Sequence, residues 1–105
     1  PMTRRDALIR VIDTLHAEIA ALKANDIAGL ERATAEKLVA IETLRALGDG
    51  PAGPELRELA SEADRLNDTC RIYVNLMAAN VRRRLQMLSG EGGNAYSRGP
   101  VSAYA

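Results

Sequence analysis

LRELASEADRLNDTCRIYVNLMAANVRRRLQML, residues 56–88, is the stretch whose reading decides the fold. Leu56, Leu59, Ala63, Leu66, Cys70, Tyr73 and Met77 recur at alternating steps of three and four, and the series runs on through Val81, Leu85 and Leu88. No Pro or Gly interrupts it. That period lines the apolar side chains along one stripe of a helix, which is expected to be buried against another helix. Ser89-Gly90-Glu91-Gly92-Gly93-Asn94 follows, then a tail bearing Tyr96 and Tyr104. A seam helix followed by a flexible, tyrosine-bearing tail has the form of a binding device rather than of an enzyme.

Upstream, Gly48-Asp49-Gly50-Pro51-Ala52-Gly53-Pro54 is the clearest turn in the chain. Gly48 suits a left-handed helix end, and the two prolines forbid continuation. Pro54 suits a first helical turn, where Glu55 and Glu58 complement the helix dipole. Before the turn, Thr3 with Asp6 three residues later makes a partial capping box, predicting a helix start there. Leu8, Ile12, Leu15, Ile19 and Leu22 then form a stripe, and Leu30, Leu38, Ile41, Leu44 and Leu47 resume it. Between them, at Asn25-Asp26, the register slips. Either the helix breaks and Asp26 caps a new one, or one helix runs through with a stutter. The continuous helix is favoured, because no Pro intervenes and Gly29 costs a helix only about 1 kcal/mol. The expectation is an all-α, coiled-coil-like antiparallel hairpin or bundle over residues 3–89, with helices at about 3–47 and 54–89 and a flexible tail over 90–105. Each long helix would span roughly 50–65 Å. Pro1-Met2 reads as a remnant outside this domain.

The chain has 105 residues, enough for one domain, with 3 Tyr and neither Phe nor Trp. Its apolar content is therefore largely Ala and Leu, suited to a narrow helix–helix seam. Such a seam alone buries little, so a third packing element or self-association is expected to complete it. Formal net charge is +0, from 14 basic and 14 acidic side chains. Nucleic acid is thus a poor candidate for the main partner. The single Cys cannot form an internal disulfide, and no apolar run approaches a membrane span. A cytosolic protein without stable membrane insertion is the simplest expectation.

No residue pattern calls for catalysis, a cofactor or a metal. His16 is the only His and has no ligand-like spacing to other donors. Cys70 falls on the seam and reads as a small buried thiol. Glu18, Glu31, Glu36, Glu42, Glu55, Glu58 and Glu62 read as solvated helix faces. A four-helix carboxylate metal site needs Glu followed three residues later by His, and Asp13 occupies that place before His16. Lys37 lies near the apolar stripe, either laying its stem on the seam or pinning its register. Arg82-Arg83-Arg84 suits a helix C-terminal end or an acidic protein surface. Ile72 and Leu76 lie off the main stripe, on the side of Asn80 and Met87. They widen the apolar surface beyond what one partner helix covers, predicting a further packing contact or a groove for an incoming amphipathic helix, with Arg83 at its rim. Tyr96 is a rare aromatic in the tail, and tyrosine suits an anchoring role.

Taken together these elements resemble the FlgN family of flagellar export chaperones, over most of the chain and by pattern rather than by a unique signature. The matching features are Glu36-Lys37 within Ala35-Glu36-Lys37-Leu38, the short turn, Leu66-Asn67 leading into Cys70-Arg71-Ile72-Tyr73-Val74, and Tyr96-Ser97-Arg98-Gly99 in a Gly-containing tail. Cys70-Arg71 departs from the Asn-Gly pair that many members carry just after Leu-Asn. The resemblance implies a chaperone that binds the C-terminal helices of hook–filament junction (hook-associated) proteins and delivers them to the flagellar type III export gate. It also implies that a tail tyrosine, here Tyr96, takes part in docking to that gate. The candidate partner-binding residues are Ile72, Leu76, Asn80, Arg83, Met87 and Tyr96. The alternative is another helical adaptor, or a coiled-coil regulator that dimerises through this face.

Overall fold

The computed structural model describes residues 1–90. Among them are three α-helices and no strand: α1, Arg4–Ala24; α2, Ile27–Ala46; and α3, Pro54–Leu88. The chain divides into two units, Pro1–Tyr73 and Val74–Ala105, of which the second is described as far as Gly90.

The all-α helical class is as expected, but the first long helix is split. α1 opens with a complete capping box: the Asp6 amide donates to Thr3 Oγ1 and the Thr3 amide to Asp6 Oδ2, each at 3.1 Å. It ends where Asn25 takes a left-handed conformation, φ 55° and ψ 37°. The Asn25 amide then reaches the Leu22 carbonyl, and the Asp26 amide reaches that of Ala21 at 2.9 Å. These two bonds close a Schellman motif with Asn in the place usually held by Gly. Asp26 caps α2 at once, its carboxylate accepting from the Gly29 amide at 2.9 Å. The register slip is therefore a reversal of the chain, and the favoured continuous helix is corrected to two helices. One residue ends the first and the next starts the second, so no Pro is needed to break the run.

α1 and α2 pack against each other as an antiparallel pair, seen where Glu18 meets Thr34 and Lys37. The first part of α3 runs alongside in the direction of α1: Arg5 pairs with Glu55 at 2.8 Å near both starts, and Cys70 lies against Leu15. The connection before α3 is tied down by Arg4, whose guanidinium donates to the carbonyls of Gly50 and Pro51, each at 2.8 Å. Gly48 has φ +90°, the left-handed end foreseen for it.

Val11, Leu15, Ala40, Leu66 and Cys70 form the centre of the core, with Ile12, Ile19 and Ala63 packed around them. Ala7, Ala21 and Ala33 are also buried, small side chains that let α1 and α2 approach closely. The third packing element is thus supplied by the broken first helix.

The stripe of residues 56–88 is covered only in part. Leu66 and Cys70 are buried, and Leu56, Leu59, Ala63 and Tyr73 are partly covered. From Val74 to Gly90 every residue except Met77 is exposed. The expectation that the whole stripe is buried is corrected accordingly. At 1.5 Å per residue α3 is about 52 Å long, whereas α1 and α2 are about 32 and 30 Å. Splitting the first helix halved the length of cover that it supplies.

Candidate partner-binding surface

The second half of α3 carries most of the residues singled out for binding. Leu76, Asn80, Arg83 and Met87 follow one another at steps of four, three and four, which puts them on one helix face. All four are exposed, and Arg83 Nη2 donates to Asn80 Oδ1 at 2.9 Å. Ile72 lies in the first unit and is 54% exposed. Tyr96 lies outside the described residues.

A second face of the same stretch, made by Val74 together with Val81, Leu85 and Leu88 of the expected buried seam, is exposed. Val74, Val81, Leu85 and Leu88 are 48%, 54%, 60% and 84% accessible. Val74 to Gly90 contains Arg82, Arg83 and Arg84 and no acidic residue. The signal that could have separated this stretch from the seam is charge. Residues 55–68 hold five carboxylates and two arginines, whereas residues 69–90 hold four arginines and no carboxylate.

In the first unit, the polar group that stands out is Glu18, read from sequence as solvent-facing. It is 4% exposed and accepts from Thr34 Oγ1 at 2.7 Å and from Lys37 Nζ at 3.1 Å. Ala7, Val11, Thr14, Glu18 and Ala21 share the three–four spacing of the inward face of α1, and that spacing could have marked Glu18 as buried. Lys37 turns its ammonium inward onto Glu18 rather than out to water. Burying a carboxylate is costly unless it is paired and hydrogen-bonded, and Glu18 has both kinds of partner.

Cys70 Sγ sits 3.6 Å from Glu18 Oε1 and 3.8 Å from the Leu15 carbonyl. Burial, then the charge of Glu18 and the hydrogen bond to it, push the thiol up from 9.0 to about 11, while Lys37 works the other way. It stays protonated at neutral pH and is a poor nucleophile. This corner joins three helices and serves packing.

His16 is exposed, and among the described residues no three His, Cys, Asp or Glu side chains gather as a metal site would require. Arg10, Asp13, Thr14, Glu36 and Val39 line an open groove between α1 and α2, with mixed charges and no nucleophile–base pair. No helix among the described residues is long and apolar enough to cross a membrane. Comparison with protein-family models, curated proteins and solved structures finds no match to the chain.

Proposed function

We propose that this chain is a cytosolic flagellar export chaperone of the FlgN kind, which holds the amphipathic C-terminal helices of hook–filament junction proteins and delivers them to the export gate. The observation that carries the reading is the second half of α3. Leu76, Val81, Leu85, Met87 and Leu88 all face water on a continuous helix. Apolar helix faces of this kind, one through Leu76 and Met87 and a second through Val81, Leu85 and Leu88, are what a client helix packs against, by the helix-in-groove mode. Within that reading the client lies along the face of Leu76, Asn80, Arg83 and Met87. The segment around Tyr96 contributes to the gate, as the resemblance implies. The activity is binding and release, with no bond made or broken.

The test is calorimetry of the purified chain with the C-terminal helical segment of a hook–filament junction protein from the same organism, with and without residues 90–105. Saturable one-to-one binding is expected, weakened severalfold by Leu76→Asp. Absence of binding by either form removes the chaperone reading and leaves a general helical adaptor. An unchanged affinity in Leu76→Asp removes the placement.

A further inference from the structure

Successive residues of α3 are rotated by about 100°. Met77, Val81, Leu85 and Leu88 therefore fall in one sector of about 80°, with Val74 in the same sector. Arg84 borders that sector on one side and Arg82 on the other, while Arg83 points to the opposite side, where Asn80 holds it. The stripe is apolar and, apart from half-buried Met77, exposed, and its two borders are cationic with no acidic residue from Val74 to Gly90 to neutralise them.

We propose that this stripe is a second seat on α3, and that it takes an amphipathic helix whose own apolar stripe is bordered on both sides by acidic residues. The proposal deepens the chaperone reading by specifying the chemistry of a client helix, and it rests on that reading only for what the client is. Charge chooses the occupant. A second copy pairing through the same stripe would set Arg82 and Arg84 against their own counterparts, because a two-fold interface brings like patches together. The spacing also works against a homotypic coiled coil. A heptad seam through Val74, Met77, Val81 and Leu88 would also take in position 84, so two copies would bury Arg84 between them. Lipid covers this stretch poorly. An interfacial helix opposes its apolar face with a strongly charged one, yet here the other side carries exposed Leu76 and Met87 with Arg83 as its single charge. A helix with carboxylates at both borders satisfies stripe and arginines together.

The experiment uses the full chain and two synthetic helical peptides with identical apolar stripes, one bordered by Glu and the other by Lys. Binding is followed by fluorescence anisotropy at low and at high salt. The Glu-bordered peptide is expected to bind and to weaken as salt rises, and the Lys-bordered peptide to bind far more weakly. Arg82→Glu with Arg84→Glu is expected to reduce binding of the Glu peptide by about tenfold and to reverse the preference. Val81→Asp is expected to abolish binding and Arg83→Glu to change it little. All these positions are exposed, and circular dichroism checks that the helices are retained. Equal binding of both peptides, or of neither, overturns the proposal. So does a dimer in sedimentation that forms through Val81, or binding confined to phosphatidylcholine–phosphatidylserine vesicles. The junction-protein segment separates the two ideas. If it binds without sensitivity to Arg82 and Arg84, the chaperone reading stands and this proposal fails. If the Glu peptide binds as described and the junction segment does not, the reverse holds.

Discussion

Glu18 shows how one side chain can hold three helices in register. Its carboxylate takes a hydroxyl from Thr34, an ammonium from Lys37 and a thiol from Cys70. Removing one member of such a pair leaves the other charge buried without compensation, whereas replacing both with apolar side chains of similar size is often neutral. Lys37→Met is therefore expected to destabilise the fold by about 2 kcal/mol, below the usual cost of breaking a buried pair because the lysine is partly exposed. Glu18→Leu combined with Lys37→Met is expected to recover most of that loss, which a double-mutant cycle in urea measures. Cys70 gives a prediction of pH dependence. Its thiol keeps its proton to about 11 in the folded protein and has an ordinary value of 9.0. Between those values the unfolded chain has lost a proton that the folded chain retains. Stability therefore falls as pH rises from 9.0 toward 11, with a slope approaching 1.4 kcal/mol per pH unit. Below 9.0 the contribution is level. Cys70→Ala is expected to lose this part of the alkaline slope in denaturation curves, keeping whatever other groups contribute. At this scale Lys37 was legible because a lysine near an apolar stripe is conspicuous. Glu18 was not, because a glutamate beside several solvated glutamates looks like one more of them until its helical phase is counted.

Among the elements, the junction of α1 and α2 was the least legible. The slip in periodicity was visible, but the same slip fits a stutter. Asn is accepted in a left-handed helix end less often than Gly, so Asn25 read as a weak signal. Gly29 is the informative neighbour. In a helix, Gly→Ala ordinarily stabilises by about 1 kcal/mol. At Gly29 an added methyl would overlap the Asp26 carboxylate that caps the helix. Gly29→Ala is expected to displace the cap, losing about as much as it gains, and so to leave thermal stability unchanged or lowered. Once Asp26→Ala has removed the carboxylate, the same Gly29→Ala change is expected to stabilise by about 1 kcal/mol. That change of outcome between backgrounds, read from melting temperatures, tests whether the carboxylate sets the identity of residue 29. The ends of α3 were easier, because Pro51 and Pro54 leave the chain few choices and Gly48 adopts the left-handed backbone foreseen for it.

For the whole molecule, helix class and the start of α3 followed from periodicity and turn chemistry, while the extent of burial did not. A stripe states that a face is apolar; it does not state that the chain contains enough helix to cover it. Leu66 and Leu85 are equivalent in pattern, and one is 4% accessible while the other is 60%. What distinguishes them is the unit each belongs to: Leu66 lies in the first, in the core with residues of α1 and α2, and Leu85 in the second, a division the stripe does not mark. Exposure was accordingly half legible: Leu76, Asn80, Arg83 and Met87 face water as expected, whereas Val81, Leu85 and Leu88, expected in the core, face it too.

The tight reversal at Asn25-Asp26 also bears on the order in which the protein assembles. Contacts across it join residues close in the chain, such as Glu18 and Thr34, 16 positions apart, whereas Leu15 and Cys70 are 55 apart. Loop-closure entropy and contact order favour the nearer pairing, so the α1–α2 pair forms early and α3 docks onto a finished hairpin. Pulse-labelled amide exchange reads that sequence of events, and protection of α3 ahead of α1 and α2 would contradict it. Chain order runs the same way, since α1 and α2 are synthesised before the arginine-rich half of α3.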